Sequence, residues 1–166
     1  MEIILVLLFS YFSGSIPFGL IITKIFIGKD VRKIGSGNIG STNVLRAGNK
    51  YLAGLTLVLD ALKGFFPVVV CQSYFPEYTH FSALLAFLGH IFPIWLKFKG
   101  GKGVATFIGV LFALSYELGF LFIFTWMAVF LIFKYSSLSS LFSSLTVFVV
   151  TFFKENAIKI INPDYI

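Results

Sequence analysis

Charged side chains make up only 12% of this 166-residue chain, against ~25% in soluble globular domains. A shortage on that scale excludes an ordinary water-soluble domain. Acidic residues are the rarer sign. Glu2, Asp30, Asp60, Glu77, Glu117, Glu155 and Asp164 are the full set, and they are too scattered in sequence for an obvious carboxylate metal site. The single cysteine, Cys71, excludes an intrachain disulfide or a thiolate metal cluster and reads as a packing residue. No segment repeats at a fixed period, which sets solenoids aside.

What the chain has in abundance is apolar surface: 58% of residues are hydrophobic, 22 of them Phe, and the mean hydropathy is +0.95. These values describe an integral membrane protein, read as one domain over residues 1–166. Apolar segments run over Ile3–Ile27, Tyr51–Phe75, His80–Leu96, Val104–Leu114, Leu118–Phe133 and Leu138–Phe153. A full helical span needs about 20 residues, so Val104–Leu114 is a half-length helix. The expected fold is all-α, a polytopic transmembrane bundle of five to six apolar segments. The opening MEIILVLLFSYFSGS has the length of a signal h-region, but Glu2 replaces the usual positive n-region and apolar sequence continues to Ile27, so it reads as a first span.

The net charge of +6 is unevenly placed. Six Lys or Arg fall between Lys24 and Lys50, three more are Lys97, Lys99 and Lys102, and Lys134 opens a later turn, whereas the turns at Gln72–Thr79 and Ser115–Glu117 have none. By the positive-inside rule the N-terminus is outside and all the basic turns are cytoplasmic.

Two of those basic turns have an unusual composition. Gly35 to Arg46 reads GSGNIGSTNVLR. Its glycines permit close backbone approach and its Ser, Asn, Thr and Arg side chains supply donors for an anion; an ordinary polar loop uses the same residues. Lys97 to Thr106 reads KFKGGKGVAT. The order Lys102-Gly103 does not fit a Walker motif, which ends Gly-Lys-Ser/Thr. What remains is a lysine and N–H groups at a helix start, a general phosphate cradle, with Lys97 and Lys99 read as membrane-side anchors. Asp60 and Lys63 share a helix face at membrane depth, as a functional or a structural pair. His90 is either a base or a helix-end residue, with structure favoured because no acid lies nearby in sequence. The Lys134–Ser140 stretch either solvates the interface or completes a phosphate pocket.

Neither His80 nor His90 is followed by Asp five positions on, so the His-x4-Asp signature of thioester-using glycerolipid acyltransferases is missing. The Asp-rich signature of alcohol phosphatidyltransferases is missing as well.

Taken together, GSGNIGSTNVLR, the string Asp60-Ala61-Leu62-Lys63-Gly64, the string Gly89-His90-Ile91-Phe92-Pro93, FKGGKGVAT, and Lys134-Tyr135-Ser136-Ser137-Leu138-Ser139-Ser140 resemble the bacterial acyl-phosphate:glycerol-3-phosphate acyltransferase family, PlsY. Ser13-Gly14-Ser15-Ile16-Pro17-Phe18-Gly19 fits too. The resemblance implies transfer of an acyl group from acyl phosphate to the 1-hydroxyl of glycerol 3-phosphate, with no metal and no cofactor. It implies an inner-membrane location with the active face cytoplasmic, contact with membrane lipid and with the enzyme supplying acyl phosphate, and no nucleic acid. Residue by residue, it implies that Ser36, Arg46 and Lys102 bind phosphate and neutralise developing charge. Gly37, Asn38, Gly40, Thr42, Asn43, Gly100, Gly101 and Gly103 would line the substrate site, and Ser137 and Ser140 would face glycerol 3-phosphate. Asp60, Lys63, His90 and Asn156 are further candidates.

The chain departs from the family pattern at its end, where Phe153-Lys154-Glu155-Asn156 stands in for a His-x-x-Asn motif and arrives early. Leu138–Phe153 is expected either to cross the membrane or to re-enter and return. The competing expectations are a C-terminally shortened, non-catalytic homologue that binds phosphate esters, and a small phosphate-ester transporter.

Overall fold

The computed structural model describes residues 2–161, with side chains through Lys154. Among them there is no strand. The chain divides into two compact units, Met1–Leu114 and Ser115–Ile166. The first contains α1 (Glu2–Gly14), α2 (Phe18–Phe26), α3 (Ser41–Arg46), α4 (Lys50–Tyr74), α5 (Thr79–Ile91) and α6 (Val104–Leu114). The second contains α7 (Tyr116–Phe133) and α8 (Ser136–Ile161). Five stretches are long and apolar enough to cross a bilayer: Glu2–Phe26, Lys50–Tyr74, Pro76–Leu96, Tyr116–Phe133 and Ser136–Lys154. α6 is the expected shorter apolar helix, with the bounds expected from sequence.

The first span is two helices, not one. Pro17 lacks an N–H and follows Gly14-Ser15-Ile16, so the helical hydrogen-bond ladder stops at Gly14 and resumes at Phe18. Such a break at membrane depth frees backbone carbonyls that lipid cannot satisfy. Lys63 of α4 supplies the donor: its Nζ lies 2.5 Å from the Ile16 carbonyl oxygen and 5.7 Å from the centre of the Phe18 ring. The same Nζ pairs with Asp60 Oδ1 at 2.7 Å, one turn earlier on the same helix, with both side chains almost fully buried. The pair is close but off the direction of a hydrogen bond at Oδ1. Asp60 Oδ1 also faces His90 Nδ1 of α5 at 3.8 Å. The sequence-predicted pairing of Asp60 with Lys63 is therefore present, and its acidic member also faces His90.

Glycines set how closely the helices of the first unit approach. A side chain at Gly14 would collide with the backbone of Ala86, and one at Gly89 with Tyr11 and Ser15, so α1 and α5 meet backbone to backbone. Gly64 against Thr106, and Gly109 against Ala61, do the same for α4 and α6. Small residues at crossings are how helices gain packing contact where lipid provides no hydrophobic drive. Polar side chains reinforce the crossings: Ser10 Oγ and Ser82 Oγ are 2.8 Å apart, and Ser82 Oγ donates to the Pro67 carbonyl at 3.0 Å. That acceptor belongs to Pro67, which lies inside α4.

In the second unit, Ser115 caps α7 by accepting from the Leu118 N–H. α8 is one continuous helix from Ser136, which removes the re-entrant alternative. Ser137–Ser140 lie in its first turns instead of in a polar turn, and Ser139, Ser140, Ser143 and Ser144 donate to carbonyls four residues back. The side chain of Asn156 lies outside the described residues.

Replacing Lys63 with Met strands a buried carboxylate, and replacing Asp60 with Leu strands a buried ammonium; each is expected to cost ~3–5 kcal/mol. The double replacement Asp60→Leu/Lys63→Met should recover only part of that, because the Ile16 carbonyl still lacks its donor. Thermal unfolding of the three variants in detergent checks this; single-variant losses that add up in the double would show that the two charges do not interact.

Candidate functional site

The segment Gly35 to Arg46 is folded around one side chain. Asn43 is buried, its Nδ2 donates to the carbonyls of Val31 at 2.9 Å, Ile34 at 2.9 Å and Asn38 at 2.8 Å, and its Oδ1 accepts the Ser36 N–H at 3.1 Å. The two Nδ2 hydrogens are shared among these three carbonyls, so Asn43 braces the loop and has no N–H left for a ligand. Asn38 Oδ1 closes a small turn by accepting the Gly40 N–H at 2.9 Å. Gly35 and Gly37 take positive φ of 51° and 71°, and the Arg46 stem lies against Gly35, where a Cβ would meet it. The apolar underside of the loop, Val31, Ile39 and Val44, packs with Leu20 and Ala53. Gly19 fits directly beneath the Ile39 carbonyl. Ser36, Thr42 and Arg46 are left exposed.

The second glycine segment is fixed to the end of α5. After the turn Ile94–Leu96, both Lys97 and Phe98 adopt left-handed backbone, φ 53° and 62°, an uncommon state for residues with side chains. The chain thereby reverses, and the Gly100 and Gly101 N–H groups donate to the Ile91 and His90 carbonyls at 2.9 and 3.1 Å. These bonds satisfy carbonyls that a helix end would otherwise leave open. The expectation of free N–H groups at Gly100 and Gly101 is thus corrected: both are used in capping. Their lack of side chains has a steric cause, since a Cβ on Gly101 would strike the His90 imidazole and one on Gly100 the His90 and Ile91 carbonyls. Gly103 takes φ 78° beneath the Phe87 ring, and Lys102 between them is exposed.

The two segments meet. A cleft of about 540 Å³ has Arg32, Ser36, Gly37 and Asn38 on one side and Trp95, Leu96, Lys97, Lys99 and Gly100 on the other. Arg46, Thr42 and Lys102 are not part of its lining. Ser137 and Ser140 belong to the second unit; Ser137 is exposed, while Ser140 Oγ accepts the Trp126 indole N–H at 3.2 Å and donates to the Ser136 carbonyl at 2.9 Å. Asp60, Lys63 and His90 form the buried cluster described above, away from solvent. No group of three or more His, Cys, Asp and Glu that could hold a metal occurs among the described residues.

Sequence reading missed Arg32, Trp95 and Leu96 as cleft residues and took Lys97 and Lys99 for anchors; of these Arg32 is the most firmly held. Its Nε lies 2.9 Å from Asp30 Oδ1 and its Nη2 2.6 Å from Asp30 Oδ2, a two-point grip that fixes the guanidinium plane. The hydrogen bond from Arg32 holds the Asp30 carboxyl well below the usual carboxylate range. Because that pKa is lowered on folding, the pair's contribution is complete above the ordinary Asp value and is lost only as pH falls through the lowered one. The Asp-x-Arg spacing was the available signal, hidden among basic residues that read only as marking the cytoplasmic side.

A sequence model of the glycerol-3-phosphate acyltransferase family matches residues 4–163. The chain belongs to this family. Glycerol-3-phosphate acyltransferases of Pelagibacter ubique and Mesorhizobium japonicum are 56% and 52% identical to it, over 95% and 91% of this chain and 84% and 77% of theirs. The glycerol 3-phosphate form of PlsY, an integral membrane glycerol 3-phosphate acyltransferase, superposes with a TM-score of 0.88 at 39% identity, covering 93% of this chain and 78% of that one. Its lysophosphatidic acid form gives 0.85 at 37% identity over the same shares. In this acyltransferase fold both glycine-rich segments stand on one side of the first unit, joined by the cleft.

Replacing Asn43 with Ala removes partners from one N–H and three carbonyls, each worth ~1–3 kcal/mol when buried and left unpaired. Hydrogen exchange should rise across residues 35–46 while α4 and α5 keep their protection. Asn43→Asp, which keeps an acceptor and loses the donors, should be equally damaging; unchanged exchange in both variants would show that the loop does not depend on this amide.

Proposed function

We propose that this acyltransferase moves a fatty acyl group from acyl phosphate to the 1-hydroxyl of glycerol 3-phosphate, giving lysophosphatidate and inorganic phosphate. The observation that carries the reading is the meeting of two donor-rich glycine segments, remote in sequence, at a single cationic cleft. A reaction between two phosphorylated substrates, one an acyl phosphate anhydride and the other a phosphate ester, calls for such a pairing, and the solved relatives, in glycerol 3-phosphate and lysophosphatidic acid forms, support it.

In the step itself the 1-hydroxyl oxygen attacks the acyl carbonyl carbon, the bond from that carbon to the phosphate oxygen breaks, and the hydroxyl proton passes to a phosphate. Acyl phosphate is already activated, so the protein's part is positioning and charge stabilisation. Ser36, Arg46 and Lys102 are exposed on these segments and are assigned to the phosphates and the developing negative charge; Thr42 and the backbone at Gly37, Gly40 and Gly103 complete the cradle. Asn43, Gly100 and Gly101 serve the site by shaping it. The distribution of Lys and Arg supports a multi-pass protein of the bacterial inner membrane with an outside N-terminus and a cytoplasmic active face, where acyl phosphate would arrive from the enzyme that makes it.

Purified protein given acyl phosphate and labelled glycerol 3-phosphate should form lysophosphatidate. Lys102→Ala and Arg46→Ala should each lower kcat/KM by ~10²-fold or more, the scale seen when a preorganised charge-stabilising donor is removed. Folded wild-type protein that yields no lysophosphatidate from acyl phosphate would overturn the donor assignment.

A further inference from the structure

The two glycines that flank Lys102 are both seated on α5, and on the same face of it. A Cβ on Gly101 would strike the His90 imidazole, and one on Gly103 the Phe87 ring. Positions 87 and 90 are three apart within Thr79–Ile91, so their side chains leave the helix on one side. Gly101 and Gly103 are buried while Lys102 between them is exposed. The lysine stem is thus carried by backbone that is held before and after it.

The two seats are themselves fastened. Phe87 packs against Phe107 of α6 with ring centres 5.7 Å apart, and the Phe107 N–H donates to the Gly103 carbonyl at 2.7 Å. His90 is buried and turns its Nδ1 edge to Asp60 Oδ1 at 3.8 Å, and Asp60 is in turn paired with Lys63. The opposite edge of the imidazole, at Nε2, is the one that lies under Gly101. The ring therefore spans from the buried ion pair to the glycine segment.

Capping of α5 alone does not call for this arrangement. The Gly100 and Gly101 N–H groups donate to the Ile91 and His90 carbonyls, and any residue at position 90 would supply such a carbonyl. A polar ring beside a carboxylate at membrane depth is a costly choice where an apolar side chain would pack. What the imidazole adds is a flat, stiff spacer of fixed direction between Asp60 and Gly101.

We infer that His90 and Phe87 are positioning residues for acyl transfer: together they fix the backbone that carries Lys102, and His90 passes the location of the Asp60–Lys63 pair on to it. The inference rests on the assignment of Lys102 to the reaction and deepens it by naming what holds that lysine in place. Neither ring is assigned a contact with substrate; both act through Lys102.

The test places His90→Ala, His90→Gln and Phe87→Leu in the full chain in detergent, each with Lys102 intact and each combined with Lys102→Ala, with rates read from labelled glycerol 3-phosphate. With Lys102 intact, His90→Ala and Phe87→Leu should lower kcat/KM by ~10-fold or more, toward the ~10²-fold that a misplacement of about 1 Å can cost. His90→Gln, a planar polar group of similar reach, should recover part of the loss. Combined with Lys102→Ala, the same replacements should change the remaining rate by less than about twofold, because coupled sites are not additive. Amide hydrogen exchange should rise at residues 100–103 while α1 and α4 keep their protection. Phe87→Leu leaves the buried charges untouched, so it decides the matter if His90→Ala does not fold. Wild-type rates in His90→Ala and Phe87→Leu, equal fold-losses with and without Lys102, or exchange that rises throughout the first unit would overturn the inference. Exchange that rises only at residues 100–103, in a protein whose folded wild-type form transfers no acyl group, would count against the acyltransferase reading and leave the seating of Lys102 standing.

Discussion

A lysine held in the interior of the first unit joins what a membrane would otherwise pull apart. Lipid supplies no hydrogen bonds, so a helix broken at Pro17 is tolerable only where protein completes its backbone. Lys63 does so at the Ile16 carbonyl, and Asp60 beside it balances the charge. The break then permits α2 to leave the axis of α1, with Gly19 tucked beneath the Ile39 carbonyl. Through this contact the depth and direction of the first glycine loop are tied to an ion pair on a different helix. His90, which faces Asp60, lies under Gly101, so the second glycine segment rests on the same buried group.

The glycines of this protein do two separate jobs. At Gly14, Gly64, Gly89 and Gly109 the absence of a side chain allows helices to touch. At Gly35, Gly37 and Gly103 it allows left-handed turns. Gly100 and Gly101 combine the first role with helix capping, spending their N–H groups on the end of α5. An anion-binding segment is therefore shaped largely by bonds that never touch the anion, with exposed Ser36, Arg46 and Lys102 carrying the direct chemistry assigned to it.

The all-helical membrane fold was legible because composition and hydrophobic run length are local properties. The half-length α6 has abrupt polar borders, Gly103 before it and Ser115 after it, and its bounds could be read directly. The break in the first span could not, since Pro17 sits in a continuous apolar run and apolarity alone does not say where the backbone turns. Asp60 and Lys63, three apart on one helix, announced their pairing; the approach of His90 came from another helix, and no local pattern reports that. For Asn43 the residue type was the correct signal and the partner was not, because an amide suited to phosphate oxygens is equally suited to loop carbonyls. Lys97 and Lys99 looked like anchors because positive charge beside a span has a general explanation, and left-handed backbone at non-glycine residues carries no sequence mark. The assignment of Ser36, Arg46 and Lys102 came from resemblance to a family, not from periodicity or spacing.

The spacing of Asp60 and Lys63 also bears on biogenesis. An isolated charge at the centre of an inserting helix costs ~2.5–3.5 kcal/mol on biological insertion scales, and α4 carries two in Lys50–Tyr74, away from its ends. Because they are three residues apart and on the same face, the helix brings its own counter-ion with it. The charges can neutralise one another as soon as the turn between them has formed, without waiting for the other helices to pack against α4. The pair that later ties the fold together thus also makes its central helix easier to deliver to the bilayer.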